Sequence, residues 1–78
     1  EIRIIEALGG ADNIETVTCC ASRLRVTVKD DSLIAPDSSW KNYLEAIGVV
    51  RGKNSVQVIY GVRVVNITTK VKDYLHLD

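Results

Sequence analysis

The sequence of 78 residues has no methionine, one histidine, one proline, two cysteines and four aromatic side chains, one Trp and three Tyr. Each scarcity narrows the function. A lone histidine, His76, and no CxxC spacing leave no ligand set for a structural zinc ion, so no metal site is expected. Nor is any cofactor. The two cysteines are neighbours, Cys19 and Cys20. A disulfide-stapled mini-domain shows more numerous and more dispersed cysteines, and a bridge between adjacent residues is strained. Reduced thiols are therefore the expectation. Ten basic and ten acidic residues give a formal charge of zero, without the basic excess usual in nucleic-acid binders. No stretch approaches the ~20 apolar residues that cross a bilayer, and no signal peptide is visible. With no initiating methionine, and a start on "EIRIIEAL" that already reads as helix, the chain is expected to be one domain, residues 1–78, taken from a longer multidomain protein.

What is present is strongly periodic. Ile4, Ile5 and Leu8 fall at helical spacing, and Gly9-Gly10 closes that run. "DNIETVTC" reads as a short strand through Ile14 and Val17. "RLRVTVKD" alternates, with Leu24, Val26 and Val28 on one face and Arg23, Arg25 and Thr27 on the other, the pattern of a half-buried strand. The "CAS" segment between them is expected to be the hairpin loop. After a loop shaped by Pro36, Asp37 or Ser38 is expected to cap a helix with Trp40, Leu44 and Ile47 on one face, ended by Gly48. Trp40 is assigned to the core. Val49-Val50 and Val56 to Tyr60 flank "RGKN" as a second hairpin. Val64, Ile67, Val71 and Leu75 mark a closing helix. The order α-β-β-α-β-β-α predicts an α+β fold, a four-stranded antiparallel sheet of two hairpins with three helices on one face.

The chemistry-bearing stretch is "TCCASRLRV". A thiolate is favoured by nearby positive charge, and guanidinium groups bind phosphate through forked, charge-assisted hydrogen bonds. Arg23 and Arg25 follow the cysteines closely enough for either use. The residues alone leave several readings open: buried apolar cysteines with solvated arginines, a redox or sensor thiol pair, a phosphorylated thiol, or a non-catalytic interaction module. An RNA-binding sheet would need exposed stacking aromatics, and none lies on the arginine-bearing strand.

"GGADNIETVTCCASRLRVTVKD" resembles the signature of the IIB domains of the bacterial phosphoenolpyruvate-dependent sugar phosphotransferase system, in the glucose and β-glucoside superfamily. That signature has an Asn and an aliphatic residue, five spacers, a Cys, one residue, a Thr, then Arg-Leu-Arg. Asn13, Ile14, Cys20, Ser22, Arg23, Leu24 and Arg25 occupy these places. "GVVRGKNSVQVIYG" is similar to the family's second hairpin, with its Gln at Gln57. Ser22 replaces the common Thr and keeps a hydroxyl. Thr18 stands where the glucose branch often carries Asp, so the cues to the sugar are mixed.

The resemblance implies that Cys20 is the phosphorylated residue and that Cys19 is a bystander. It implies a phosphoryl carrier, a protein-phosphohistidine–sugar phosphotransferase. Cys20 would take phosphate from a histidine of a IIA partner and pass it to a sugar held by the membrane-embedded IIC partner, on the cytoplasmic side of the membrane. Ser22, Arg23, Arg25 and Gln57 are then the expected phosphate- or partner-binding residues. Gln57 equally fits a plain exposed strand position.

Overall fold

The computed structural model describes residues 2–76. Its elements are α1 (Ile2–Ala7), β1 (Ile14–Cys20), β2 (Arg23–Val28), α2 (Asp37–Asn42), β3 (Gly48–Gly52), β4 (Ser55–Ile59) and α3 (Val64–Leu75). Single turns of 3-10 helix precede β1, follow β2 and lead into α3. The strands form one antiparallel sheet in the order β1-β2-β4-β3, so the two hairpins lie side by side with β2 and β4 in the middle. Fold class and element order match the expectation.

Strand alternation decides which face is covered. Val17, Leu24, Val26, Val28, Val56 and Val58 are buried, and they belong to one parity of the register. Against them pack Ile4, Ile5 and Leu8 of the first helical run, Trp40 of α2, and Val64 and Val71 of α3. Trp40 is fully buried, and its indole Nε1 donates to the Ala35 carbonyl. Among the described residues the opposite parity of the sheet carries no helix.

One buried polar residue ties the frame together. The Asn13 amide Nδ2 donates to the carbonyls of Leu8 (2.7 Å) and Asp30 (3.0 Å), and its Oδ1 accepts from the Asp30 N–H (2.9 Å). The end of α1, the start of β1 and the end of β2 are thus fixed by one side chain. Gly9 is required beside it. Its φ is +99°, and a Cβ there would lie 2.6 Å from Asn13 Nδ2 and 2.7 Å from Leu33 Cβ.

The middle helix differs from the sequence reading. It spans only Asp37–Asn42, its N-cap position is Pro36, and no side chain caps it. Asp37 instead pairs with Arg51 of β3 at 2.7 Å. Leu44 and Ile47 lie beyond the helix, and Ile47 is 69% exposed. Gly48 opens β3 rather than closing a helix. The reason is competition for backbone hydrogen bonds. The Ile47 N–H bonds the Ile59 carbonyl at 2.7 Å as the strand pair begins, and Glu45, with φ +60°, reverses the chain ahead of it.

Candidate functional site

The β1–β2 hairpin is closed by a two-residue turn, Ala21–Ser22, with Cys20 paired to Arg23 and Cys19 paired to Leu24. Cys20 therefore ends β1 rather than sitting in the loop, a correction to the "CAS" reading, while Cys19 lies in the strand as expected. Two-residue hairpins require positive φ in the turn, and Ala21 supplies it at +55°. Non-glycine residues hold such a conformation where their surroundings enforce it. Here the Ser22 carbonyl accepts from the N–H groups of Tyr60 (2.9 Å) and Gly61 (3.1 Å), which pins the turn to the end of β4.

Pairing register then sorts the side chains. Residues opposite each other point to the same side of the sheet, and neighbours along a strand point to opposite sides. Cys19 shares the side of Leu24, the core side, although at the hairpin tip it is exposed. Cys20 is on the open side, also exposed. One row of that open face reads Cys20, Arg23, Ile59, Gly48. The next reads Thr18, Arg25, Gln57, Val50. Directly paired residues have Cβ atoms ~4.5–5.5 Å apart, and successive rows are about 7 Å apart.

Cys20, Arg23, Arg25 and Gln57, named from sequence, thus share the open face of the sheet. Arg23 is directly across from Cys20, and its Nη1 donates to Gln57 Oε1 at 3.1 Å. Arg25 lies one row down, between Thr18 and Gln57, with no hydrogen-bond or ion-pair partner among the described residues. Ser22 follows in the turn, half-buried, with its carbonyl committed to Tyr60 and Gly61. The open-face rows of Thr16, Thr18 and Cys20 hold two guanidinium groups, Arg23 and Arg25, and no carboxylate. Ile59 and Val50 add apolar surface to the same face.

Sequence reasoning passed over the floor of this face. A shallow groove of about 320 Å³ runs along it, lined by Thr16, Thr18, Arg25, Thr27, Ser55 and Gln57. The Thr16 and Thr27 hydroxyls hydrogen-bond each other across β1 and β2. The signal was available in the alternation that sets Thr27 beside the arginines. The partner strands could be aligned only once the turns were known. Among the described residues no group of His, Cys, Asp and Glu is arranged to hold a metal ion. What the face offers is a thiol with cationic and hydroxyl donors beside it, a setting for an anionic group carried on sulfur.

Comparison with known proteins gives the family. The family model for the phosphotransferase system EIIB matches residues 2–34, from α1 through the Cys20 hairpin. The maltose-specific EIICB component of Bacillus subtilis is 50% identical over 72 residues, 92% of this chain and 14% of that protein. The alpha-glucoside-specific EIICB component of Leptotrichia buccalis is 44% identical over 72 residues, 92% of this chain and 13% of that protein. The crystal structure of one domain of the PTS system IIabc component from Clostridium difficile superposes with a TM-score of 0.72 at 36% identity, covering 99% of this chain and 76% of that one. The chain belongs to the EIIB family of the sugar phosphotransferase system. It spans about one-seventh of the length of these curated relatives, whose names join EIIB with EIIC.

Proposed function

We propose that this domain carries a phosphoryl group on Cys20 between a IIA phosphohistidine and a sugar. In the first step the Cys20 thiolate attacks phosphorus, an S–P bond forms, the N–P bond breaks, and the donor imidazole leaves. In the second, a sugar hydroxyl held by IIC attacks the phosphocysteine. An O–P bond forms, the S–P bond breaks, the hydroxyl proton is given up to solvent, and thiolate returns. Splitting the transfer in this way is covalent catalysis. Phosphoryl transfer asks mainly for positioning and for charge stabilisation around the equatorial oxygens. Arg25 and Arg23 are assigned that stabilisation, with the Ser22 hydroxyl as a further donor and Gln57 as the group that orients Arg23.

The observation that carries this reading is the placement of exposed Cys20 on the open face with Arg23 across from it and Arg25 one row away. The redox alternative fits poorly, because Cys19 and Cys20 diverge to opposite sides of the sheet. The relatives named above are components for different sugars, and we assign the choice of sugar to the IIC acceptor. No described helix is long and apolar enough to cross a membrane. On this reading the domain, part of a longer protein or bound to one, works at the cytoplasmic face beside its IIC partner.

The test is phosphotransfer. The chain is incubated with phosphoenolpyruvate, the general phosphotransfer proteins and glucose-type IIA proteins. Incorporation of one phosphoryl group that depends on IIA supports the proposal, and no incorporation with any IIA tried refutes it.

A further inference from the structure

A second polar cavity lies on the helical side of the sheet, away from Cys20's face. It holds about 180 Å³ between α1, the segment joining α2 to β3, and the entry to α3. Its polar lining is Arg3, Tyr43, Glu45, Tyr60 and Arg63, against an apolar wall that includes Ile4. Sites for drug-sized ligands are usually ~300–1,000 Å³. This one has room for about six waters at ~30 Å³ each, or one small molecule.

Its chemistry is that of an anion site. Tyr60 is 4% exposed, and its hydroxyl is buried with no hydrogen-bond partner. Buried polar groups are nearly always satisfied, so an orphan calls for an explanation. Burial pushes the phenol up to about 12, with the Arg63 and Glu45 charges acting on it in opposite directions. The group therefore stays a donor at neutral pH. Arg3 has no hydrogen-bond or ion-pair partner among the described residues. Arg63 reaches Glu45 at 3.3 Å, but both side chains are more than half exposed, and such pairs are weak. Two guanidinium groups against one carboxylate leave the rim cationic. The exposed ring of Tyr43 supplies apolar area beside it.

We propose that this cavity binds a small phosphate monoester. The phosphate oxygens take the forks of Arg3 and Arg63 and the Tyr60 hydroxyl. The short carbon body rests against Tyr43. None of these residues belongs to the open face, so the inference stands apart from the phosphoryl-carrier reading.

The test is a titration of the isotope-labelled chain with glycerol phosphate at constant ionic strength, followed by backbone amide chemical shifts, with glycerol as the uncharged control. Saturable shifts at Arg3, Glu45, Tyr60 and Arg63 are expected. They should weaken at least tenfold in the Arg3→Gln, Arg63→Gln double variant and persist in an Arg23→Gln, Arg25→Gln variant. Tyr60→Phe, which preserves packing, should weaken binding with a thermal melt showing the fold intact. Four results would overturn the proposal: no saturable shift, equal shifts with glycerol, shifts confined to residues 18–25, or binding unchanged without Arg3 and Arg63.

Discussion

Cys20 and Arg23 are the last cross-strand pair of the β1–β2 hairpin, with only Ala21 and Ser22 between them. Backbone register alone places the sulfur and the guanidinium on the same side of the sheet. A one-residue slip of β1 along β2 would pair Arg23 with Cys19 instead and turn the Cys20 sulfur toward the core side. The turn is held against such a slip by two hydrogen bonds from Tyr60 and Gly61 to the Ser22 carbonyl. The position of the Cys20 thiol is thus defined by the end of β4 as much as by the motif around the cysteine.

The arginines should differ in how their loss is felt. A hydrogen bond to a charged group contributes about 1.5–3 kcal/mol, which corresponds to roughly 10–100-fold in rate. Arg25→Gln should slow phosphoryl transfer by that factor with stability unchanged. Gln57→Ala releases Arg23 from the side-chain acceptor it holds at 3.1 Å and should cost less, up to about tenfold for a neutral acceptor. Single-turnover transfer rates from IIA to each variant measure both.

Cys19 should be dispensable. Cys19→Ser is expected to retain transfer within about twofold, because its side chain leaves the strand on the other side from Cys20. Mild oxidation of the folded chain should give thiol oxidation products without a Cys19–Cys20 disulfide, as read by peptide mass mapping. A stoichiometric vicinal disulfide in folded protein would show that the strand end is not as described.

Asn13 should matter to the fold rather than to the chemistry. Asn13→Ala removes three hydrogen bonds and leaves the Leu8 and Asp30 backbone groups without them. A cost of about 2–4 kcal/mol is expected at ~1–3 kcal/mol per orphaned buried group, or roughly 8–30 °C in melting temperature for a domain of this size. Asn13→Asp should be at least as harmful, since it turns an oxygen toward two carbonyls. Denaturant unfolding of the three proteins gives the ranking.

These cases also show how far the sequence carried. Clean alternation in "RLRVTV" located β2, and the phase of that alternation was enough to put Arg23 and Arg25 on one face. Trp40 was legible as core because a single large apolar residue in a polar stretch has few other uses. The helix around it was not. Leu44 and Ile47 continue its apolar spacing, yet strand pairing at Ile59 takes the backbone that a longer helix would need. Cys20 as a strand end, rather than a loop residue, was hidden because no glycine marks the turn and Ala21 adopts the left-handed conformation itself. The partnership of Arg23 with Gln57 joins residues 34 apart and depends on which hairpins become neighbours. Local pattern does not contain that.

Tyr60 should make stability fall in alkali. Burial raises its pKa from 10.0 to about 12 in the folded chain. The folded state therefore holds the phenolic proton more tightly than the unfolded state does. The stabilisation is complete below pH ~10 and is lost progressively as pH rises toward about 12. Ultraviolet titration should show one tyrosine ionising late, and Tyr60→Phe should remove that step and flatten stability across the same window.

The central claim is that phosphate resides on the Cys20 sulfur. Its most direct test is peptide mass mapping of the chain after transfer from IIA under conditions that preserve thiophosphate esters. A single phosphoryl group on Cys20, retained in Cys19→Ser and absent in Cys20→Ser, is the predicted result. Phosphate mapped to Cys19, to Ser22 or to His76, or undiminished labelling of Cys20→Ser, would contradict it.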